Sequence, residues 1–271
     1  MNKYFFNNNL SSFLGISDSR IITFVGGGGK TSLMNTLGKE FASHRIPTLL
    51  TTTTHIMKPD FLPDEAYIEE EDFKRLTDTF ISLRKEKIPL AALGLPHQMI
   101  NNRLKWKSPS VDFCKKVAAF SSQDSDFPLR ILCEGDGSKR LPVKIPKKGE
   151  PVLFPKTDTV IGVIGLSCLG KPIKEILFRH TLLKEILPTD NFLSEISFYS
   201  NYITTDFLYW LCLSEKGLRK NTTLQNFCII LNQADTLDSK MLASVIELRN
   251  SIREQGICCH IVSQKYGYSI I

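Results

Sequence analysis

The sequence lacks the features that mark membrane, secreted and zinc-ribbon proteins. No apolar run reaches the length of a transmembrane helix, and residues 1–15 contain neither a continuous apolar core nor a small-residue cleavage pattern. The seven cysteines show no C-x-x-C spacing, and several lie in apolar runs such as ILCEG and FCIIL, as reduced core thiols do. The neighbours Cys258 and Cys259 would point to opposite faces of a strand. We therefore expect a cytoplasmic protein with no membrane contact and no metal–thiolate site.

Charge is unevenly spread along the chain. The net charge is +6; residues 64–72 are acidic, whereas the segment SKRLPVKIPKK at 138–148 is basic. That basic segment has no interleaved aromatic residues on which bases could stack, so we do not expect nucleic-acid binding. It is either a solvated loop or a cradle for an anionic small molecule or cofactor, with Lys139 and Arg140 as the contacts.

Apolar runs alternate with helical patterns along the 271 residues. Strands are predicted within 20–25, 46–56, 127–137, 158–170, 226–235 and 257–263, and helices at 30–45, 60–87, 110–122, 171–187 and 236–256, with a helical tendency over 189–226. We interpret 88–110 as irregular. Continuous apolar strands predict an α/β fold whose mostly parallel sheet is covered by helices on both faces. Without a repeat or linker, we expect a single domain over 1–271, with 60–125 as an inserted or lid-like region.

The stretch FVGGGGKTSLMNTLG at 24–38 lies where a strand meets a helix. Glycine reaches positive φ and has no Cβ, so its backbone N–H groups can surround an anion at the helix N-terminus. Lys30 supplies a positive charge for the outer phosphates, and Thr31 a hydroxyl for Mg²⁺. The stretch predicts a P-loop NTPase-like three-layer sandwich that binds ATP or GTP. The nucleotide-contacting residues would be Gly26, Gly27, Gly28, Gly29, Lys30, Thr31 and Ser32.

The spacing of this loop favours a short variant. The standard G-x-x-x-x-G-K-[ST] form needs glycine where Phe24 stands, whereas G-x-x-G-K-T-S fits, as in Mur-ligase-type loops. A dinucleotide fingerprint would need glycine or alanine at Thr31 and leaves Lys30 unexplained.

Two further segments supply polar groups at strand ends. In ILCEGDG, Glu134 and Asp136 follow a buried strand, in the manner of a Walker B motif. We expect them to act as metal ligands and catalytic acids. The alternative is that both are ordinary turn acids. The threonine cluster before His55 offers Thr53, Thr54 and His55 as substrate contacts. Its alternative is a set of strand-closing threonines.

LNQAD, with Asn232 and Asp235, follows another strand, and SQK follows the last one. This order resembles the base-recognition elements of GTPases, N-K-x-D and S-A-K. Glutamine replaces the usual lysine, so the base stays open between adenine and guanine. The alternative for Asp235 is an ordinary helix cap.

Taken together, the blocks GGGGKTSLM, TLLTTTTHI, EGDGSKRLPVKIP, EPVLFP, VIGVIGLSCLGKP and LNQAD resemble the YqeC family. The resemblance implies a P-loop NTPase fold and a role in maturing the cofactor of a selenium-dependent molybdenum hydroxylase, which would then be a partner. It supports an enzyme that hydrolyses ATP or GTP, or transfers its phosphate, using Mg²⁺. The alternatives are a nucleotide-gated cofactor chaperone with little turnover and a Mur-like small-molecule ligase or kinase.

Overall fold

The computed structural model describes residues 3–6, 9–83, 85, 89–122, 129–187, 201–222 and 224–270. Its strands are β1 Lys3–Phe5, β2 Ile21–Gly26, β3 Thr48–Thr52, β4 His55–Met57, β5 Tyr67–Ile68, β6 Leu90–Leu93, β7 Leu95–Ile100, β8 Arg103–Lys107, β9 Arg130–Glu134, β10 Val143–Lys144, β11 Thr159–Gly165, β12 Leu177–Phe178, β13 Asn226–Asn232, β14 Cys258–Ser263 and β15 Tyr268–Ile270. Its α-helices are α1 Leu10–Phe13, α2 Lys30–Ser43, α3 Phe73–Leu83, α4 Val111–Ser121, α5 Ile173–Ile176, α6 Leu183–Ile186, α7 Thr205–Leu213 and α8 Ser239–Glu254. Short 3₁₀ turns occur at Asp64–Ala66, Leu166–Cys168, His180–Leu182 and Ala234–Thr236.

Ten strands form one sheet in the order β1-β15-β14-β13-β11-β2-β9-β3-β6-β5. Every pairing from β14 to β5 is parallel, and β15 and β1 extend one edge in antiparallel fashion. The strand β2 lies between β9 and β11, with β3 and β13 beyond them. In a parallel sheet the carboxyl ends of neighbouring strands share one edge. The segments that follow β2, β3, β9, β11 and β13 therefore meet there.

Alternate side chains of the central strands pack into separate cores. In β13, Cys228 and Ile230 pack on the face covered by α1 and α2, whereas Ile229 and Leu231 pack on the face covered by α7 and α8. The helices α3 and α4 pack with Ile131 of β9 in a third cluster. Fully buried strands have apolar residues on both faces, which explains their continuous apolar runs. The predicted three-layer α/β class is confirmed.

Two sequence interpretations of local structure are wrong. The segment 88–110, described from residue 89, is not irregular: β6 joins the main sheet, and β7 and β8 form a hairpin that pairs with β4 in a small sheet. The hairpin turns at Asn101 and Asn102, both with positive φ, a conformation that asparagine tolerates well. The predicted helix 171–187 is broken by β12, which pairs with β10, and by Arg179 at φ 63°.

Two other predicted helical segments are longer than the helices that the structure describes within them. In the described part of 60–87 the α-helix is limited to α3. The predicted helical tendency over 189–226 lies partly outside the described residues, and α7 occupies its described part. Among the described helices, none combines the length and the apolar character that a membrane span requires.

Candidate functional site

The loop between β2 and α2 requires glycine for two reasons. Gly26, Gly28 and Gly29 have φ values of 95°, 77° and 115°, in the region that favours glycine. The loop also lies against the end of β11: a Cβ on Gly26 would be 2.3 Å from the Val163 carbonyl oxygen, and one on Gly28 would be 2.1 Å from the Gly165 nitrogen. Side chains at either position would collide with backbone, which is less able to move than a side chain.

The backbone amides of this loop fall into two groups. The Gly26 N–H donates to both carboxylate oxygens of Asp136, at 3.1 Å, and the Gly27 N–H to the Val163 carbonyl, at 2.8 Å. The next five amides, residues 28–32, donate no hydrogen bond to any residue that the structure describes. The first helical bond of α2 runs from the Leu33 N–H to the Gly29 carbonyl, at 2.9 Å. Five consecutive N–H groups at a helix N-terminus, a feature that can bind an anion, thus have no partner among the described residues.

Lys30, the first residue of α2, is only 3% exposed. Its Nζ donates to the Gly26 carbonyl at 2.6 Å, and lies 3.2 Å from Asp136 Oδ1 and 3.8 Å from Glu134 Oε1. The side chain therefore folds back over the loop towards the two acids that follow β9. Since a buried ammonium needs charge compensation, these acids hold it in place.

Glu134 ends β9, where its Cα pairs with that of Phe24 in β2. Its Oε2 accepts a 2.5 Å hydrogen bond from the Thr31 hydroxyl, so the glutamate contacts the first two residues of α2. Burial raises the pKa of Glu134, and Lys30 and Thr31 act against that rise. One hydroxyl and the carboxylates of Glu134 and Asp136 thus converge beside the unpaired amides. These are hard oxygen donors of the kind that Mg²⁺ prefers.

Asp136 also anchors a buried chain of charges that the sequence did not reveal. Its Oδ2 lies 3.0 Å from Lys144 Nζ, and Lys144, which is 1% exposed, lies 2.7 Å from Glu150 Oε2. Arg179 closes the chain with two bonds to the Glu150 carboxylate, at 2.5 and 2.8 Å. Burial would raise the pKa of Glu150, but the hydrogen bonds from Arg179 and Lys144 lower it to about 2. We interpreted the segment around Lys144 as a solvated loop or an anion cradle, and no local pattern marks this lysine as buried.

The threonine cluster after β3 adjoins the same acids. The Thr53 N–H donates to the Glu134 carbonyl at 3.1 Å, and its hydroxyl to the Val152 carbonyl at 2.5 Å. The Thr54 carbonyl accepts from Ser108, at 2.8 Å. His55 begins β4 of the small sheet and lies against His97, with ring centroids 4.7 Å apart. Partial burial, His97 and two nearby lysines lower the pKa of His55.

Lys139 and Arg140 lie in the exposed turn between Asp136 and β10. Both have positive φ, 50° and 66°, and Lys139 Nζ is 5.4 Å from the centroid of the Phe178 ring. The next residue, Leu141, passes close to the glycine loop, because a Cβ on Gly27 would be 2.6 Å from its carbonyl oxygen. Both cations are therefore solvent-accessible on a segment that contacts the loop.

Asn232, at the end of β13, links the glycine loop to the segment after β14. Its Nδ2 donates to the Gly28 carbonyl at 2.9 Å, and its Oδ1 accepts from the Gln264 N–H at 3.1 Å. Asp235 accepts a 2.5 Å hydrogen bond from the Ser263 hydroxyl. It does not cap the following helix, because Asp238 does so through the Met241 N–H. The two segments that resemble base-recognition elements are thus joined to each other and to the loop.

Comparison with known proteins gives two matches. The family profile described as "YqeC protein" matches residues 22–181, which is more than half of the chain. A curated protein of Escherichia coli (strain K12), titled "Uncharacterized protein YqeC", is 28% identical over 159 residues, covering 56% of this chain and 54% of its own length. The chain thus spans about half the length of this relative. The matched region includes the glycine loop and both acids, whereas Asn232 and Asp235 lie beyond the profile.

Proposed function

The chain belongs to the YqeC family, and from that premise and the geometry of its glycine loop we propose that it binds ATP or GTP with Mg²⁺ and hydrolyses the nucleotide or transfers its terminal phosphate. The printed title of the E. coli relative states no activity, so the proposal rests on the site of this chain. The family resemblance adds a pathway, maturation of the cofactor of a selenium-dependent molybdenum hydroxylase.

One observation carries the proposal: the amides of residues 28–32, beside the buried Lys30, have no hydrogen-bond partner in the part of the chain that the structure describes. Backbone N–H groups at the start of a 14-residue helix attract anions through their hydrogen bonds and through the helix dipole. An ammonium group adjacent to them adds a full positive charge. A polyphosphate is the common metabolite whose several oxygens match this number of donors.

The oxygen donors at the site fit Mg²⁺. The Thr31 hydroxyl and the carboxylates of Glu134 and Asp136 would hold the ion, directly or through water. When bound, it would neutralise charge on the phosphate oxygens. Lys30 would stabilise the charge that develops on the transferred phosphoryl group, and the glycine loop would orient that group through its amides.

The remaining contacts divide into structural links and groups open to a ligand. Asn232 uses both ends of its amide within the protein. Asp235 has one oxygen occupied by Ser263, which leaves the other as a base acceptor. We propose that the exposed Lys139 and Arg140, on the segment that contacts the glycine loop, bind an anionic substrate or cofactor.

Calorimetric titration with Mg·ATP and Mg·GTP tests the proposal, using wild type, Lys30→Ala and Lys39→Ala. Lys39 lies exposed on the same helix and serves as the matched control. Hydrogen bonds to charged groups contribute about 1.5–3 kcal/mol, so we expect Lys30→Ala to weaken binding by roughly 10- to 100-fold and to abolish turnover. Lys39→Ala should bind as wild type does. Unchanged binding and turnover by folded Lys30→Ala would refute the proposal.

Two further arms of this experiment separate the related functions. A preference for GTP that disappears in Asp235→Ala would identify Asp235 as the base reader; in that case the affinity for GTP should fall while the affinity for ATP stays unchanged. Tight binding with no phosphate release, even with a molybdenum hydroxylase present, would indicate a nucleotide-gated chaperone. Phosphate release only after an acceptor is added would indicate a ligase or kinase.

A further inference from the structure

Two thiols and one imidazole converge at the amino-terminal end of β13 and β14. The Cα atoms of Cys228 and Cys258 are direct partners across these parallel strands, so their side chains lie on the same face. His260 follows Cys258 by two residues along β14 and projects from that face as well. Cys259, between them, packs in the core on the other face. The sequence indicated only that neighbouring cysteines diverge, whereas strand register brings Cys228 to Cys258.

The donor atoms are close enough to share one cation. Cys258 Sγ lies 3.5 Å from Cys228 Sγ and 3.1 Å from His260 Nε2, and all three donor atoms lie within 4.8 Å of one another. Around a tetrahedral Zn²⁺, with Zn–S and Zn–N bonds of about 2.3 and 2.0 Å, such atoms are roughly 3.5–3.8 Å apart. The observed separations require only side-chain adjustments of a few tenths of an ångström for the two measured pairs.

The surroundings suit a bound ion with one accessible side. Cys228 and His260 are buried, at 3% and 8% exposure, and the Phe13 ring packs on the imidazole with centroids 4.5 Å apart. Cys258 is exposed. His260 Nδ1 is buried and makes no hydrogen bond to a described residue. Among the described residues, the imidazole therefore makes its polar contact through Nε2, which faces Cys258 Sγ.

We propose that Cys228, Cys258 and His260 form a binding site for Zn²⁺ or a similar thiophilic cation, with the fourth position open to solvent or to an exogenous ligand. Two sulfur donors and one imidazole select such cations over Mg²⁺ and Ca²⁺. The site lies at the amino-terminal end of its strands, whereas Asn232 and the glycine loop lie at the carboxyl end. It is therefore separate from the proposed nucleotide site and does not depend on it.

The test is a titration of the full reduced chain with Co²⁺ and then with Zn²⁺, in excess Mg²⁺. Cobalt bound by thiolates gives an intense charge-transfer absorption that carboxylates do not give. We expect one equivalent of Co²⁺ to produce this band and one equivalent of Zn²⁺ to remove it. In Cys258→Ser, which changes an exposed residue, the band should fall and Zn²⁺ affinity should drop by about 100-fold or more, since even outer-shell changes cost 10- to 100-fold. His260→Asn should also weaken binding.

Two controls keep the result interpretable. Cys114→Ser changes a thiol of α4 outside the cluster and should leave the band unchanged. Asp136→Asn should also leave it unchanged if the ion avoids the carboxylates beside the glycine loop. The proposal is overturned if the reduced protein gives no charge-transfer band, if Cys258→Ser binds as wild type does, or if the two sulfurs form only a disulfide in air and take no metal after reduction.

Discussion

Replacing Lys144 with methionine would remove the central cation of the buried charge chain. Its Nζ lies 3.0 Å from Asp136 and 2.7 Å from Glu150, and both carboxylates are largely buried. Removing one partner of a buried ion pair costs about 3–5 kcal/mol because the other charge is left uncompensated. Here Asp136 keeps Lys30 and Glu150 keeps Arg179. We therefore expect the low end of that range, about 3 kcal/mol.

Thermal unfolding at neutral pH measures this loss. For a chain of this size, each kcal/mol corresponds to about 2–4 °C, so Lys144→Met should melt roughly 6–12 °C below wild type. Lys147→Met is the matched control: Lys147 is 60% exposed and lies 4.0 Å from the same Glu150. Exposed pairs contribute at most about 1 kcal/mol, so this variant should melt within a few degrees of wild type.

Equal melting temperatures for Lys144→Met and Lys147→Met would refute the reasoning, because burial would then add nothing to the ion pair.

Two further predictions concern the loop and the acid range. Gly28→Ala places a Cβ 2.1 Å from the Gly165 nitrogen at a φ of 77°. It should therefore lower the free energy of unfolding, measured with denaturant, by about 1–3 kcal/mol and weaken nucleotide binding. Gly137→Ala is the control: its Cβ would have no atom within 4 Å, so it should have neither effect. Because the pKa of Glu150 falls from 4.5 to about 2 on folding, its stabilisation is present above pH 4.5 and is lost as the pH falls from 4.5 to 2. Melting temperatures recorded between pH 2 and 7 should show this loss in wild type and a smaller one in Glu150→Gln; identical slopes would contradict it.

Local sequence patterns predicted the elements whose signals are strong over short distances. The buried strands appeared as continuous apolar runs, and the glycine loop with Lys30 could be located because a strand, glycines and an amphipathic helix follow each other directly. The family resemblance, read from the same blocks, is confirmed. The Asn101–Asn102 pair, which forms the turn of the β7–β8 hairpin, is a local sequence signal for that hairpin.

Features that depend on contacts between distant residues could not be predicted in this way. Lys144 resembles the exposed lysines around it, and it is buried because Asp136 and Glu150 face it. The thiol pair of Cys228 and Cys258 depends on strand register, which one sequence does not reveal. Asn232 also joins the glycine loop to the segment after β14, through contacts with residues far away in the sequence. Polar residues with tertiary partners carry little local pattern.

The hydrogen bond between Asn232 and Gly28 also constrains the order in which parts of the chain can fold during synthesis. It joins residues 204 positions apart, and the bonds from Thr31 to Glu134 and from Gly26 to Asp136 span 103 and 110 positions. The glycine loop leaves the ribosome before its partners, because Glu134 and Asn232 emerge only with β9 and β13. Until then, ordering the loop would cost conformational entropy, and the contacts that offset this cost would still be missing. Its native conformation is therefore a late product of folding, completed by β13, which the family profile does not cover.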